Sequence, residues 1–167
     1  LQEPFEIVDD VFVPAGTYSG PEAQISFNTD LSKPLSFQTR LNVGEKFGGD
    51  RVRFTPTVAF RIGETFSSEL SVVYTEFDLP VPGGDFSVAL TRLRLSYSFS
   101  PKALLQAVGQ YNDANETLST NLRFSLLRTA NSGLYVVYNE FDEQTPGALP
   151  AERQFVLKYN YLFDVFN

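Results

Sequence analysis

From Phe155 to Val165 every second residue is large and apolar: Phe155, Leu157, Tyr159, Tyr161, Phe163 and Val165, with Lys158, Asn160 and Asp164 among those between. A period of two describes a strand with one apolar and one polar face. The pattern recurs upstream. In Ser36–Gly44, Phe37, Leu41 and Val43 alternate with Gln38, Arg40 and Asn42. In Arg51–Gly63, Val52, Phe54, Val58, Phe60 and Ile62 oppose Arg51, Arg53, Thr55, Thr57 and Arg61. Phe66–Thr75, Thr91–Ser100 and Leu118–Arg128 repeat it, while Tyr18–Thr29, Ala103–Asn112 and Leu134–Phe141 alternate less cleanly. No segment carries a helical period. The chain reads as about nine strands, roughly 9–14 residues long, where globular strands centre on ~5–6. Pro56 falls on the apolar face of its segment, and its missing N–H predicts a bulge there.

The connections alternate in kind. Tight turns are expected at Asp30–Pro34, Gly63-Glu64, Pro101-Lys102 and Asn131-Ser132-Gly133. Longer, acidic loops are expected at Glu45–Asp50, Asp78–Asp85, Asp113–Glu116 and Asp142–Arg153. Short turns at one end and long loops at the other predict an antiparallel up-and-down meander. Long alternating strands joined in this way predict a transmembrane β-barrel of the bacterial outer membrane. The last strand follows a long loop, which puts the C-terminus on the periplasmic side. By the same alternation, Leu1–Ile7 reads as the top of an earlier strand. Residues 1–167 are therefore expected to be one all-β domain, the C-terminal portion of a larger barrel whose N-terminal part lies elsewhere in the same protein.

Composition narrows the chemistry. The chain has no Cys and no His, which removes disulfides, thiolate metal sites and every Ser-His or Cys-His arrangement. Net charge is −7, so nucleic acid is not an expected partner. Aromatics reach 14%, with 16 Phe and 8 Tyr, residues that favour strands and membrane interfaces. No apolar run approaches the ~18 residues of a membrane helix, a limit that alternating strands escape.

Three groups of residues stand out. Arg40, Arg51, Arg53, Arg61, Arg92, Arg94, Arg123 and Lys158 share the polar faces. They read either as the lining of a lumen, favouring anions, or as solvated charges paired with carboxylates such as Glu69. Phe60, Tyr97, Phe124, Tyr159, Tyr161 and Phe163 are expected to face lipid. Tyr74, Phe77, Tyr97, Phe99, Tyr111, Tyr138, Phe163 and Phe166 stand at strand ends, where interfacial girdles form. The loop acids, Asp9, Asp10, Glu45, Asp50, Asp78, Asp85, Asp113, Glu116, Asp142, Glu143 and Glu152, show no EF-hand spacing and read as a solvated rim rather than a Ca²⁺ site. No catalytic residue, metal ligand or cofactor is assigned.

The run Leu104-Leu105-Gln106-Ala107-Val108-Gly109-Gln110-Tyr111-Asn112 is followed by Leu118–Phe124, Gly133–Glu140 and the closing Arg153–Phe163 strand. With Glu3–Ile7, Val13–Tyr18 and Pro82–Phe86, these segments resemble the C-terminal, membrane-associated barrel domain that follows family-9-type carbohydrate-binding domains in Gram-negative bacteria. That domain is itself of unknown function. The resemblance implies an outer-membrane barrel segment acting as a passive porin-like pore or as an anchor for the carbohydrate-binding module. Its implied partners are outer-membrane lipid, lipopolysaccharide, the barrel-assembly machinery and the missing N-terminal part. The alternative is a soluble lipocalin-like β-barrel that binds a small ligand.

Overall fold

The computed structural model describes residues 1–8, 10–129, 132–144 and 150–161. Two short strands, β1 (Phe5–Val8) and β2 (Val11–Val13), pair with each other as a separate hairpin. Nine longer strands follow: β3 (Glu22–Asn28), β4 (Leu35–Lys46), β5 (Gly49–Ile62), β6 (Phe66–Asp78), β7 (Asp85–Ser100), β8 (Ala103–Asn112), β9 (Thr117–Thr129), β10 (Ser132–Glu143) and β11 (Glu152–Asn160). They form one antiparallel sheet in chain order, each strand beside its sequence neighbours. The all-β meander expected from the alternation is therefore present. Closure is not seen among the described residues: β3 and β11 are the two edges and make no contact with each other.

Register carries the apolar face across the sheet, because residues directly opposite share a face, with the Glu140–Arg153 ion pair interrupting it near the loop end of β10 and β11. Val58, Leu70 and Leu93 align across β5, β6 and β7, and Phe66, Tyr97, Leu105, Phe124, Val136 and Leu157 align from β6 to β11. The strands are also staggered. Leu35 opens β4 and aligns through Phe60, Ser68, Leu95 and Ala107 with Leu122, which lies seven residues before the end of β9 at Thr129 (129 − 122). At the opposite end, Lys46 lies eleven residues beyond Leu35 but Thr117 only five before Leu122, a drift of six. Across five strand steps that is about 1.2–1.4 residues per strand. With ~3.3 Å per residue and ~4.8 Å between strands, level turns require the strands to lean by about 40°.

Local chemistry explains the connections and corrects three expectations. Glu45–Asp50 is not a long loop: Phe47 (φ 57°) and Gly48 (φ 82°) form a two-residue turn, and Lys46 pairs with Gly49. Two successive positive φ values match the twist of a hairpin, and the acidic residues on either side simply join the ladder. Pro56 makes no bulge. Phe54↔Tyr74 and Thr57↔Ser71 hold one register, so only the β6-side pairs at 55 and 56 are lost. Leu1–Ile7 supplies no stave of the sheet, since Phe5 pairs with Val13 in the β1–β2 hairpin. At Asp30–Pro34 the expected turn forms: the Ser32 N–H and hydroxyl both donate to the Asp30 carboxylate, at 2.9 and 2.7 Å.

The water-excluded apolar core among the described residues lies at the loop end, not between layers. Val13 is 1% exposed, with Val11 and Leu79 nearly as buried. The Leu1 ammonium donates to the Gly16 carbonyl (2.7 Å) and the Tyr18 hydroxyl to the Pro14 carbonyl (2.8 Å), closing the N-terminal segment on itself. Phe47 takes Phe5 and Tyr18 edge-on at 5.4 and 5.8 Å, which docks that segment on the β4–β5 turn. Among the described residues no strand layer covers either face of the nine-stranded sheet, since its strands contact only their ladder neighbours.

Candidate functional site

The two faces of this single-layered sheet are the features with functional content. On one face stand Ile25, Phe27, Leu35, Val58, Phe60, Leu93, Tyr97, Leu122, Phe155, Leu157 and Tyr159, all 40–70% exposed. On the other, Ser36, Asn42, Ser71 and Thr117 are at most 9% exposed. Among the described residues no other strand lies over these polar residues, so their own neighbours shield them. Side chains on the polar face are therefore more crowded than those on the apolar face. This inverts the distribution of a water-soluble fold, in which apolar side chains crowd inward.

Register places all the singled-out basic residues, Arg40, Arg53, Arg61, Arg92, Arg94, Arg123 and Lys158, on the polar face, together with Arg51. Their surroundings differ. Arg51 is ion-paired with Glu22, which also accepts from the Asn42 amide at 2.7 Å. Arg61 donates to the Leu31 carbonyl and so braces the β3–β4 turn. Arg123 lies over the Tyr135 ring at 5.7 Å. Arg94 stands directly across from Glu69 without forming an ion pair, and Arg92 keeps a buried, unpartnered Nε. Among the described residues only Arg51 of this set is neutralised by a carboxylate.

Phe60, Tyr97, Phe124 and Tyr159 occur on the apolar face; Tyr161 lies just beyond β11, and Phe163 and Phe166 lie outside the described residues. Tyr97 packs edge-on against Phe99 (4.7 Å), Phe99 against Phe124 (6.4 Å), and Tyr159 stacks on Tyr161. One aromatic departs from expectation. Phe77 belongs to the polar face, where it stacks on Phe86 at 5.2 Å. Its odd position in β6, where Leu70, Val72 and Tyr74 are even, sets that face, and β7 carries a matching phase inversion: Phe86, Val88 and Leu90 are even-numbered, whereas Leu93, Leu95, Tyr97 and Phe99 are odd. The strand runs through without a register shift, so the first three join the polar face. The inversion also explains why alternation alone starts this strand at Thr91.

Two polar groupings emerge only from the pairing. At the loop rim, Glu45, Asp50, Asp78 and Asp85 form one register row of carboxylates, on the same side as the apolar face. Among the described residues no acidic cluster has the geometry to hold a metal ion. On the polar face, Asn121 donates to Asn139 (2.5 Å) and Asn139 to Gln154 (3.1 Å), an amide ladder across β9, β10 and β11. A cavity of about 360 Å³ opens over it, bordered by Gln110, Phe141 and Glu152. Sequence reading missed this group because Asn and Gln carry no periodic signal; only β-pairing sets them side by side. At the β3–β4 turn, the Ser32 hydroxyl and N–H hold the Asp30 carboxyl below its ordinary value.

Comparison with protein-family models, with curated proteins and with solved structures finds no match for this chain.

Proposed function

We propose that the nine strands are staves of a transmembrane β-barrel in the bacterial outer membrane, acting as a passive pore or as the anchor of an appended carbohydrate-binding module. The observation that carries this reading is the exposed apolar face. It spans eight strand spacings, and along β5 it runs from Val52 to Ile62. At ~4.8 Å per spacing and ~3.3 Å per residue it measures about 38 Å across the strands and about 33 Å along them, or about 25 Å in height at a ~40° lean. Even with the Glu140–Arg153 ion pair near its loop end, that face covers roughly 1,250 Å², where soluble monomers rarely expose contiguous apolar patches beyond about 300–600 Å². A height of about 25 Å is that of the apolar band on outer-membrane barrels, and the lean falls within their strand tilt.

Direction of the edges supports completion by further strands. β3 and β11 run the same way, from the loop end to the turn end, because an odd number of alternating strands separates like from like. An all-antiparallel closure therefore takes an odd number of additional strands, which the N-terminal part of the same protein would supply. In that barrel the arginines line the lumen and Phe60, Tyr97, Phe124, Tyr159 and Tyr161 meet lipid and lipopolysaccharide. The barrel-assembly machinery would insert it with the C-terminus periplasmic. A lipocalin-like soluble barrel needs its apolar face inward, whereas here the shielded side chains are Ser36, Asn42 and Ser71 on the polar face.

Planar-bilayer recording of the full-length protein tests the pore. The expected result is a steady conductance with anion preference that weakens when Arg53, Arg92 and Arg123 are replaced by Gln. Folding into lipid with no conductance would leave the anchor alone. A monodisperse protein in buffer without amphiphile would refute the membrane reading altogether.

A further inference from the structure

We infer that the amide ladder of β9–β11 is a binding subsite for a neutral polyhydroxylated solute, such as a short oligosaccharide. The ladder is directional: each amide N–H₂ donates to the next carbonyl, from Asn121 through Asn139 to Gln154. Whichever way the three amides are oriented, one end keeps a free carbonyl and the other a free N–H₂. Here these are the Asn121 oxygen and the Gln154 nitrogen, and both residues line the same cavity of about 360 Å³. The Gln110 amide and the Glu152 carboxylate border it with no partner of their own.

Between them stands Phe141, an aromatic ring 43% exposed, with Val108 as the other apolar side chain bordering the cavity. Its register neighbours are Ser119 and Glu152, so no apolar group covers it from either adjacent strand. Matched donors and acceptors around a bare ring suit a ligand with an apolar C–H face edged by hydroxyls. A vicinal diol can donate to one free acceptor and accept from one free donor simultaneously. The charges select further. The arginines of this face lie outside the cavity and its bordering charged groups are carboxylates, so an anionic ligand is disfavoured there. The subsite belongs to the polar face whatever medium meets the apolar one.

Saturation-transfer NMR with maltotriose, on the protein in lipid nanodiscs, tests this directly. Saturable transfer with a Kd on the order of millimolar is expected, as suits a few hydrogen bonds and one ring contact. Asn139→Ala and Phe141→Ala should each raise the Kd about fivefold or more, the loss of one net hydrogen bond or ring contact. Phe141→Tyr keeps the ring and should retain binding, which separates loss of the contact from loss of the fold. Gln38→Ala, on the same face but toward the β3 edge, should leave the Kd unchanged. Glucuronate, as the anionic probe, should bind more weakly than glucose. Absence of saturable binding, or wild-type affinity in both alanine variants, would overturn the assignment. Binding by protein that stays in plain buffer would uphold the subsite and count against the membrane reading alone.

Discussion

A charge placed at the middle of the apolar face distinguishes lipid from water on that side. On β7 the outward residues run from Ala89 to Phe99, and Leu93 lies near the centre of that run, 42% exposed between Leu70 and Gly109. Ala89 is four residues nearer the loop end, about 13 Å along the strand and roughly 10 Å in depth at a ~40° lean. If lipid meets this face, Leu93→Arg should cost about 2–4 kcal/mol, and Ala89→Arg only about 0–1 kcal/mol, because the penalty falls with distance from the midplane. If water meets it, both should lie within about 0.5 kcal/mol of the parent, as solvated surface substitutions do. The assay is reversible urea unfolding of the protein in phospholipid vesicles, followed by aromatic fluorescence and gel mobility, with both variants titrated at one pH and salt. A flat profile, in which Leu93→Arg and Ala89→Arg cost the same small amount, would refute the lipid-facing assignment even if the protein binds vesicles.

Three further outcomes follow from the geometry. Asp78 stands between Asp50 and Asp85 in a row of like charges, so Asp78→Asn should stabilise by about 0.2–1 kcal/mol. The gain should shrink in high salt, and salt-independent stabilisation would point to another cause. Phe47 holds a positive φ and two edge-on rings. Phe47→Ala should therefore speed amide exchange across Phe5–Val13 by the equivalent of about 1–3 kcal/mol, and Phe47→Gly should be milder by about 1 kcal/mol as the strain is relieved. Unchanged exchange would show that the hairpin is anchored elsewhere. Asp30 should titrate below 3.8 in the folded protein. A depressed carboxyl contributes stability above its unfolded value that is lost as pH falls through the folded one. Ser32→Ala should thus move the Asp30 midpoint upward by NMR and lower stability at neutral pH, with the two proteins converging in acid.

Much of this architecture is legible in the residue order because a strand's faces are set locally. Period two assigns Phe60 and Arg61, or Tyr159 and Lys158, to opposite sides before any partner is known. The antiparallel meander follows from short connections, which leave each strand nowhere to pair but beside its neighbour. Local reasoning falters where two signals compete. The acids around Phe47-Gly48 read as a loop although the turn geometry closes in two residues, and the even-numbered Phe86, Val88 and Leu90 read as no strand because their phase opposes the residues that follow.

What tertiary structure alone decides is everything that depends on register and direction. Pairing sets Asn121, Asn139 and Gln154 in one line, Asp50, Asp78 and Asp85 in another, and Arg94 across from Glu69. It also fixes the stagger, and it leaves β3 and β11 as open edges running the same way. Alternation is a property of one strand, set by the pleat of its own backbone. Stagger and closure are properties of hydrogen bonds between strands, and no single segment carries them.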